Sequence, residues 1–449
     1  MTPAATPPGP RGRPLVGSFP DFRRDPPGFI QQLALRYGDV VRYRLPGMDA
    51  YLLVHPDDVR DVLVTRQHDF VKGEGLRWAR SFLGEGLLTS EGEHHTRQRR
   101  LVQPSLHRQR IAGYAEAMTA HACAATARWR DGAEMDVAHE MMRVTLAIVG
   151  ECLFGADVQG EAEAISRSLT DIVALFPRFA VPGARWIQKL PLPSNRRFAR
   201  ARAQLDATVY GLVAARRAGG EDRADLLSAL LAAQDVEGDG GGMTDVQLRD
   251  EAMTLFLAGH ETTANALTWT LYLLSQNPEA EARLHAEVET ALGERAPTFE
   301  DLPRLGYVER VLAEGMRLFP PAWGLGRRAL RAFSARDYVI PAGALVHLSP
   351  YATQRDPRWW PEPERFDPDR HLPEARAARP KFAYFPFGGG ARACIGEPFA
   401  WMEGTLVLAV IAQRWRLRLR AGHVARRKAL ITLRPRDGMP MTPERRALP

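Results

Sequence analysis

Between residues 111 and 292 apolar positions recur every three to four residues, and this spacing predicts a run of amphipathic helices. The longest of them is expected over residues 244–275. Two stretches break the pattern. Residues 176–195 carry Pro177, Pro182, Pro191 and Pro193 among aromatic and basic side chains, and residues 235–242 form a glycine-rich, partly acidic stretch expected at the surface. Upstream, residues 2–14 read as an extended arm and residues 29–37 as a helix. Residues 40–45 and 50–54 alternate around Pro46, Gly47, Met48 and Asp49, which predicts a β-hairpin. His55–Pro56–Asp57 then reads as a helix start. Beyond Ala329 the apolar runs shorten, with strands expected over 338–341, 345–348, 415–419 and 430–433. No repeat of fixed period is present. The pattern describes a mostly helical body with a minor sheet.

Composition narrows this only a little. The 449 residues exceed the usual single-domain length, and 45% hydrophobic with 25% charged residues is ordinary for a globular chain. No run approaches 18 consecutive apolar residues, and residues 1–17 lack a basic segment followed by an apolar one. The expectation is a cytoplasmic protein without a membrane anchor. The net charge of +7 is carried almost wholly by arginine, since Lys72, Lys189, Lys381 and Lys428 are the only lysines. Acidic residues are interspersed throughout, which argues against nucleic acid as a partner.

Three cysteines form no paired framework. Cys123 and Cys152 sit in helical, alanine-rich surroundings that suit small core residues. Cys394 differs. It follows Gly388, Gly389 and Gly390, which permit close backbone approach to something bulky, and it precedes an apolar helical run over 398–410. Exposed N–H groups and the dipole at a helix N-terminus favour a thiolate, and Arg392 adds positive charge. Such a sulfur suits a soft or redox-active metal.

Three other segments carry chemistry. Glu314 and Arg317 share a helix face, as do His95 and Arg99. In the predicted 244–275 helix, Gly259 weakens the interior and Thr262 can compete for the Ala258 carbonyl, so a local distortion is expected.

The loop with Phe387, Gly390, Arg392, Cys394 and Gly396 resembles the cytochrome P-450 signature F-x-x-G-x-R-x-C-x-G. Residues 258–263 are similar to that family's oxygen-activation motif, Glu314–Arg317 to its E-x-x-R pair, and residues 363–366 to its downstream arginine segment. The resemblance implies a mostly α fold with a small β region: a triangular helical body, with haem between the long oxygen-activation helix and the helix after the cysteine loop. It implies a single catalytic domain over 12–449, preceded by a flexible arm over 1–11. Cys394 would ligate the iron of haem b, with Phe387, Gly396 and Ala258 against the cofactor. His95, Arg99, Arg392 and Arg328 would meet its propionates, His94 competing for the role of His95. Thr262 would serve oxygen activation and Glu261 proton delivery, while His260 falls at a variable position. Glu314, Arg317 and Arg365 would form a structural cluster.

The implied activity is a monooxygenase that inserts one atom of O2 into an apolar small molecule such as a fatty acid, terpenoid or polyketide. Electrons would come from NAD(P)H through a separate ferredoxin or flavodoxin and its reductase. Arg97, Arg99, Arg100, Arg108 and Arg110 form a basic cluster suited to steering an acidic partner. Trp78, Phe82, Leu87, Leu88, Leu255, Trp323 and Leu325 are candidate pocket residues, and residues 176–195 a lid or a surface-associating loop. The rival readings are a haem-thiolate peroxygenase or isomerase and a non-enzymatic haem ligand binder. Glu261 and Thr262 speak against both.

Overall fold

The computed structural model describes residues 6–155, 160, 164–165, 167–169, 172, 190–219, 225–238 and 240–446. The chain divides into two compact units. The first comprises residues 1–77, 313–394 and 427–434, the second residues 78–312, 395–426 and 435–449.

The first unit is organised by a five-stranded sheet. Its strands are β1 (Val40–Leu45), β2 (Met48–Leu53), β3 (Phe70–Lys72), β4 (Leu325–Ala329) and β5 (Leu345–Leu348), in the order β1-β2-β5-β4-β3. β1 and β2 form the expected hairpin with Val40 opposite Leu53, and Gly47 takes the positive φ its turn requires. β2 and β5 are parallel, and the other pairs are antiparallel. One sheet face buries Phe70, Ala329, Val346 and Leu348, and the other buries Tyr43, Ala50 and Leu52. His55 caps the helix Pro56–Arg60, its ring nitrogen accepting from the Asp57 amide. The strand expected over 430–433 is mostly a turn: Arg427–Ala429 pairs with Leu433–Pro435.

The second unit is built on helices, among them α1 (Gly92–Val102), α2 (Val137–Phe154) and α3 (Asp245–Gln276). α3 is the predicted long helix, and a reciprocal cap fixes its start. The Thr244 hydroxyl accepts from the Gln247 amide at 3.3 Å, and the Gln247 side chain accepts from the Thr244 amide at 2.9 Å. Gly259 belongs in α3 because α2 passes so close: a Cβ there would lie 3.0 Å from Val149 Cγ2. The helix α4 (Gly306–Leu318) carries the E-x-x-R pair, and α5 (Glu397–Arg414) follows the cysteine loop. α5 is buried from Met402 to Gln413. A three-stranded sheet of Met135–Asp136, Pro440–Arg445 and Trp415–Leu419 closes this unit. No helix among the described residues is long and apolar enough to cross a membrane.

Candidate functional site

In the first unit the cysteine loop is held by its own backbone. The Cys394 amide donates to the Phe387 carbonyl at 2.9 Å, and the Ala393 amide donates to Gly390 at 3.0 Å. Gly390 has φ +69°, and a Cβ there would lie 1.8 Å from the Leu63 carbonyl oxygen, so only glycine fits. The result is an exposed Cys394, with Phe387, Arg392 and Gly396 half-buried around it. Cys152, by contrast, is buried, and burial pushes its thiol well up, which suits an inert core residue. Cys123 is only half-buried.

The sheet beside this loop carries a feature that the motifs did not mark. A Cβ on Gly388 would touch Leu325 at 3.9 Å, so the loop lies against β4. Two residues along β4, Arg327 stands directly opposite Lys72 of β3, and the two occupy the core face with Phe70 and Ala329. They are only 7% and 5% exposed. Both side chains therefore bring positive charge into a buried face of the sheet. Arg328 points to the other face, where it pairs with Glu74 and donates to the Gly343 carbonyl at 3.4 Å. Strand alternation could have flagged Arg327, but only with the register in hand.

Glu314 and Arg317 are both fully buried and bidentate, at 2.8 Å for each bond. Arg317 also donates to the carbonyls of Gln354, Pro363 and Arg365 at 2.7–3.0 Å. Glu314 accepts further bonds from His371 Nε2 at 3.0 Å and the Asp367 amide at 2.9 Å. Burial pushes the Glu314 carboxyl up, but Arg317 and His371 outweigh it and hold it below its ordinary value. The expected third member behaves differently. Arg365 contributes its carbonyl, while its guanidinium turns outward to Glu362 with 63% of the side chain exposed. The Glu314 oxygens already have their donors, and His371, which the sequence reading passed over, supplies the third side chain.

In the second unit, α3 is buried almost throughout, yet Ala258 is exposed and Leu255, Gly259 and Thr262 are half-buried. These positions recur every three to four residues and mark one open stripe. Within it, three consecutive carbonyls each accept from a hydroxyl. Thr262 donates to Ala258 at 2.6 Å, Thr263 to Gly259 at 3.2 Å, and Thr145 of α2 to His260 at 2.9 Å. The helix stays continuous, so the expected distortion takes the form of shared carbonyls rather than a break. Glu261 is buried at this turn, and the His260 ring bonds the Phe256 carbonyl at 2.8 Å.

On α1, His95 is buried and Arg99 half-buried, while His94 Nε2 meets the Glu85 carbonyl at 3.2 Å. Two members of the basic cluster are engaged with buried Asp235: Arg100 at 2.7 Å and Arg97 at 3.7 Å. Of the pocket candidates, Phe82 is fully buried in an aromatic group with Trp78 and Phe198. Leu87 is buried and Leu88 half-buried. In the first unit Trp323 and Leu325 are half-buried, and Trp323 Nε1 donates to the Leu430 carbonyl at 3.1 Å. Most of the 176–195 stretch lies outside the described residues.

The whole chain has known relatives. A family model described as Cytochrome P450 matches residues 7–438. The chain is 43% identical over 435 residues to "Cyclooctatin synthase" of Streptomyces melanosporofaciens, covering 96% of this chain and 93% of that one. It is 36% identical over 434 residues to "Pentalenene oxygenase" of Streptomyces avermitilis, covering 96% and 95%. Its fold matches the solved structure "Retinoic acid bound cyanobacterial CYP120A1" with a TM-score of 0.88 and 26% identity, over 99% of this chain and 100% of that one.

Proposed function

The chain belongs to the cytochrome P450 family of haem-iron monooxygenases, and from that premise we propose that it hydroxylates a polycyclic terpenoid. Cyclooctatin and pentalenene, which appear in the names of two relatives, are polycyclic terpenoids. The apolar stripe of Leu255 and Ala258 beside Thr262 suits a substrate of that kind. Electrons would come from NAD(P)H through a separate ferredoxin or flavodoxin and its reductase.

The observation that carries this reading is the exposed Cys394 thiol within a rigid, glycine-bounded loop. A haem held through such a sulfur would supply the activation of O2 and its insertion into a C–H bond. The residues of the chain fit that group. Cys394 offers the thiolate, and Phe387 offers an apolar surface. Arg327 and Lys72 offer the buried positive charge that propionates require, in the place the motif reading gave to Arg328. By the family resemblance, His95, Arg99 and Arg392 would also serve as propionate donors. On α3, Thr262 Oγ holds its proton on the Ala258 carbonyl and would release it toward the reacting oxygen, with Glu261 replenishing it.

Reconstitution tests the reading. The haem-loaded protein, supplied with a surrogate ferredoxin, its reductase and NADPH, should hydroxylate polycyclic terpene hydrocarbons. Cys394→Ala should lose both this activity and the red-shifted carbon monoxide band of a thiolate-ligated ferrous haem. A band unaffected by the substitution would overturn the ligand assignment. Failure on terpenes with turnover on fatty acids would overturn the substrate class.

A further inference from the structure

Three consecutive charged residues of α3, Arg249, Asp250 and Glu251, are buried at 4%, 6% and 0% exposure, although none of the motifs accounts for them. The two carboxylates meet the backbone of one short loop. The Asp250 carboxylate accepts from the Glu85 amide at 2.7 Å, and the Glu251 carboxylate accepts from the Leu87 amide at 3.0 Å. Arg249 donates to the Phe82 carbonyl at 2.7 Å and to Asp250 at 2.9 Å. A third arm of the guanidinium reaches Asp206 at 2.8 Å, on the helix Pro193–Gly219.

The loop backbone rests on the helix with nothing between. A Cβ on Gly84 would sit 2.1 Å from the Asp250 carboxylate, and one on Gly86 would sit 2.4 Å from Thr254 Oγ1 and 2.5 Å from the Asp250 carbonyl oxygen. Thr89 closes the loop on itself, its hydroxyl donating to the Gly84 carbonyl at 2.6 Å. Ionised carboxylates accepting backbone N–H groups make bonds about twice as strong as neutral ones.

Position gives this clip a consequence. Glu251, Leu255, Ala258 and Thr262 follow one another at helical spacing, so they lie along a single stripe of α3. The stripe is covered at Glu251, where the loop is fastened, and open from Leu255 onward. Eleven residues of helix put Thr262 roughly 16 Å along the axis from the clip. The loop is therefore fastened at the covered end of this stripe, with Leu87 on it. We infer that Arg249, Asp250 and Glu251 are positioning residues that set how long a substrate fits along the stripe, by fastening the 84–88 loop across its end. This deepens the monooxygenase reading and rests on it.

The test uses the haem-loaded protein and three probes of increasing length: imidazole, 4-phenylimidazole and N-dodecylimidazole, followed by their Soret shifts. Glu251→Leu removes the acceptor, and Glu251→Gln keeps one. Glu251→Leu should raise hydrogen exchange at the Leu87 amide about tenfold and change N-dodecylimidazole affinity about tenfold relative to imidazole. Glu251→Gln should stay within about threefold of wild type on both readouts. If Glu251→Leu does not hold haem, Gly86→Ala serves instead, because its added methyl displaces the same loop. Unchanged exchange at Leu87 would overturn the inference, as would faster exchange with the ratio of long to short ligand affinities unaltered. Because the imidazoles report on the space whatever the natural substrate is, failure of wild type to bind terpenes would count against the substrate class alone.

Discussion

Glu403 offers a sharp test of the energetics of this fold. It lies in α5, fully buried, and burial pushes its carboxyl up to about 8. The Thr263 hydroxyl beside it pulls the other way and does not offset burial. At neutral pH the folded protein therefore holds a proton that the unfolded chain releases. The folded carboxyl has the higher pKa, so this group lowers stability as pH rises from its ordinary 4.5, and the loss levels off above about 8. At 1.36 kcal/mol per pH unit the full loss is roughly 5 kcal/mol, and the part between about pH 5 and about pH 8 is roughly 4 kcal/mol. That is large against a typical total of about 5–15 kcal/mol. Glu403→Gln cannot ionise in either state and should remove the dependence. The assay is guanidinium unfolding of haem-loaded wild type and variant at both pH values, followed by far-UV circular dichroism. Wild type should lose roughly 4 kcal/mol relative to the variant between the two. A stability difference that is the same at both pH values would refute a protonated Glu403.

Two further outcomes follow from the site. Arg327→Ala should speed haem transfer to apomyoglobin by about tenfold or more, through loss of a buried charge-assisted contact. Arg328→Ala, which breaks a half-exposed pair with Glu74, should change it by less than about threefold, and the reverse order would reject Arg327 as the propionate partner. Thr262→Ala should lower product formed per NADPH consumed while leaving the ferrous carbon monoxide spectrum intact. An unchanged yield would remove Thr262 from proton handling.

Much of this architecture is written locally. The start of α3 rests on Thr244 and Gln247, three residues apart, and the hairpin of β1 and β2 on Gly47 between two alternating runs. The cysteine loop is likewise contiguous, so its glycines, Arg392 and Cys394 could be read as one unit before any fold was known. Features that depend on distant residues could not be read this way. Arg327 and Arg328 are neighbours of the same type, and nothing local says which one faces the core. The pairing of β4 with Lys72 of β3 decides it, because successive strand residues point to opposite faces. Arg365 matched a motif, but the donors around Glu314 come from residues as far off as His371 and leave its side chain to solvent. Asp250 and Glu251 carry no local mark of burial, because the amides that hold them come from residues 165 and 164 positions earlier. The sequence by itself determined the helices, the hairpin and the glycine-bounded loop that carries Cys394, since these rest on contacts within a few residues. Which charged groups are buried, and what they hold in place, was decided only by the tertiary structure, because burial belongs to the packing of segments far apart in the chain.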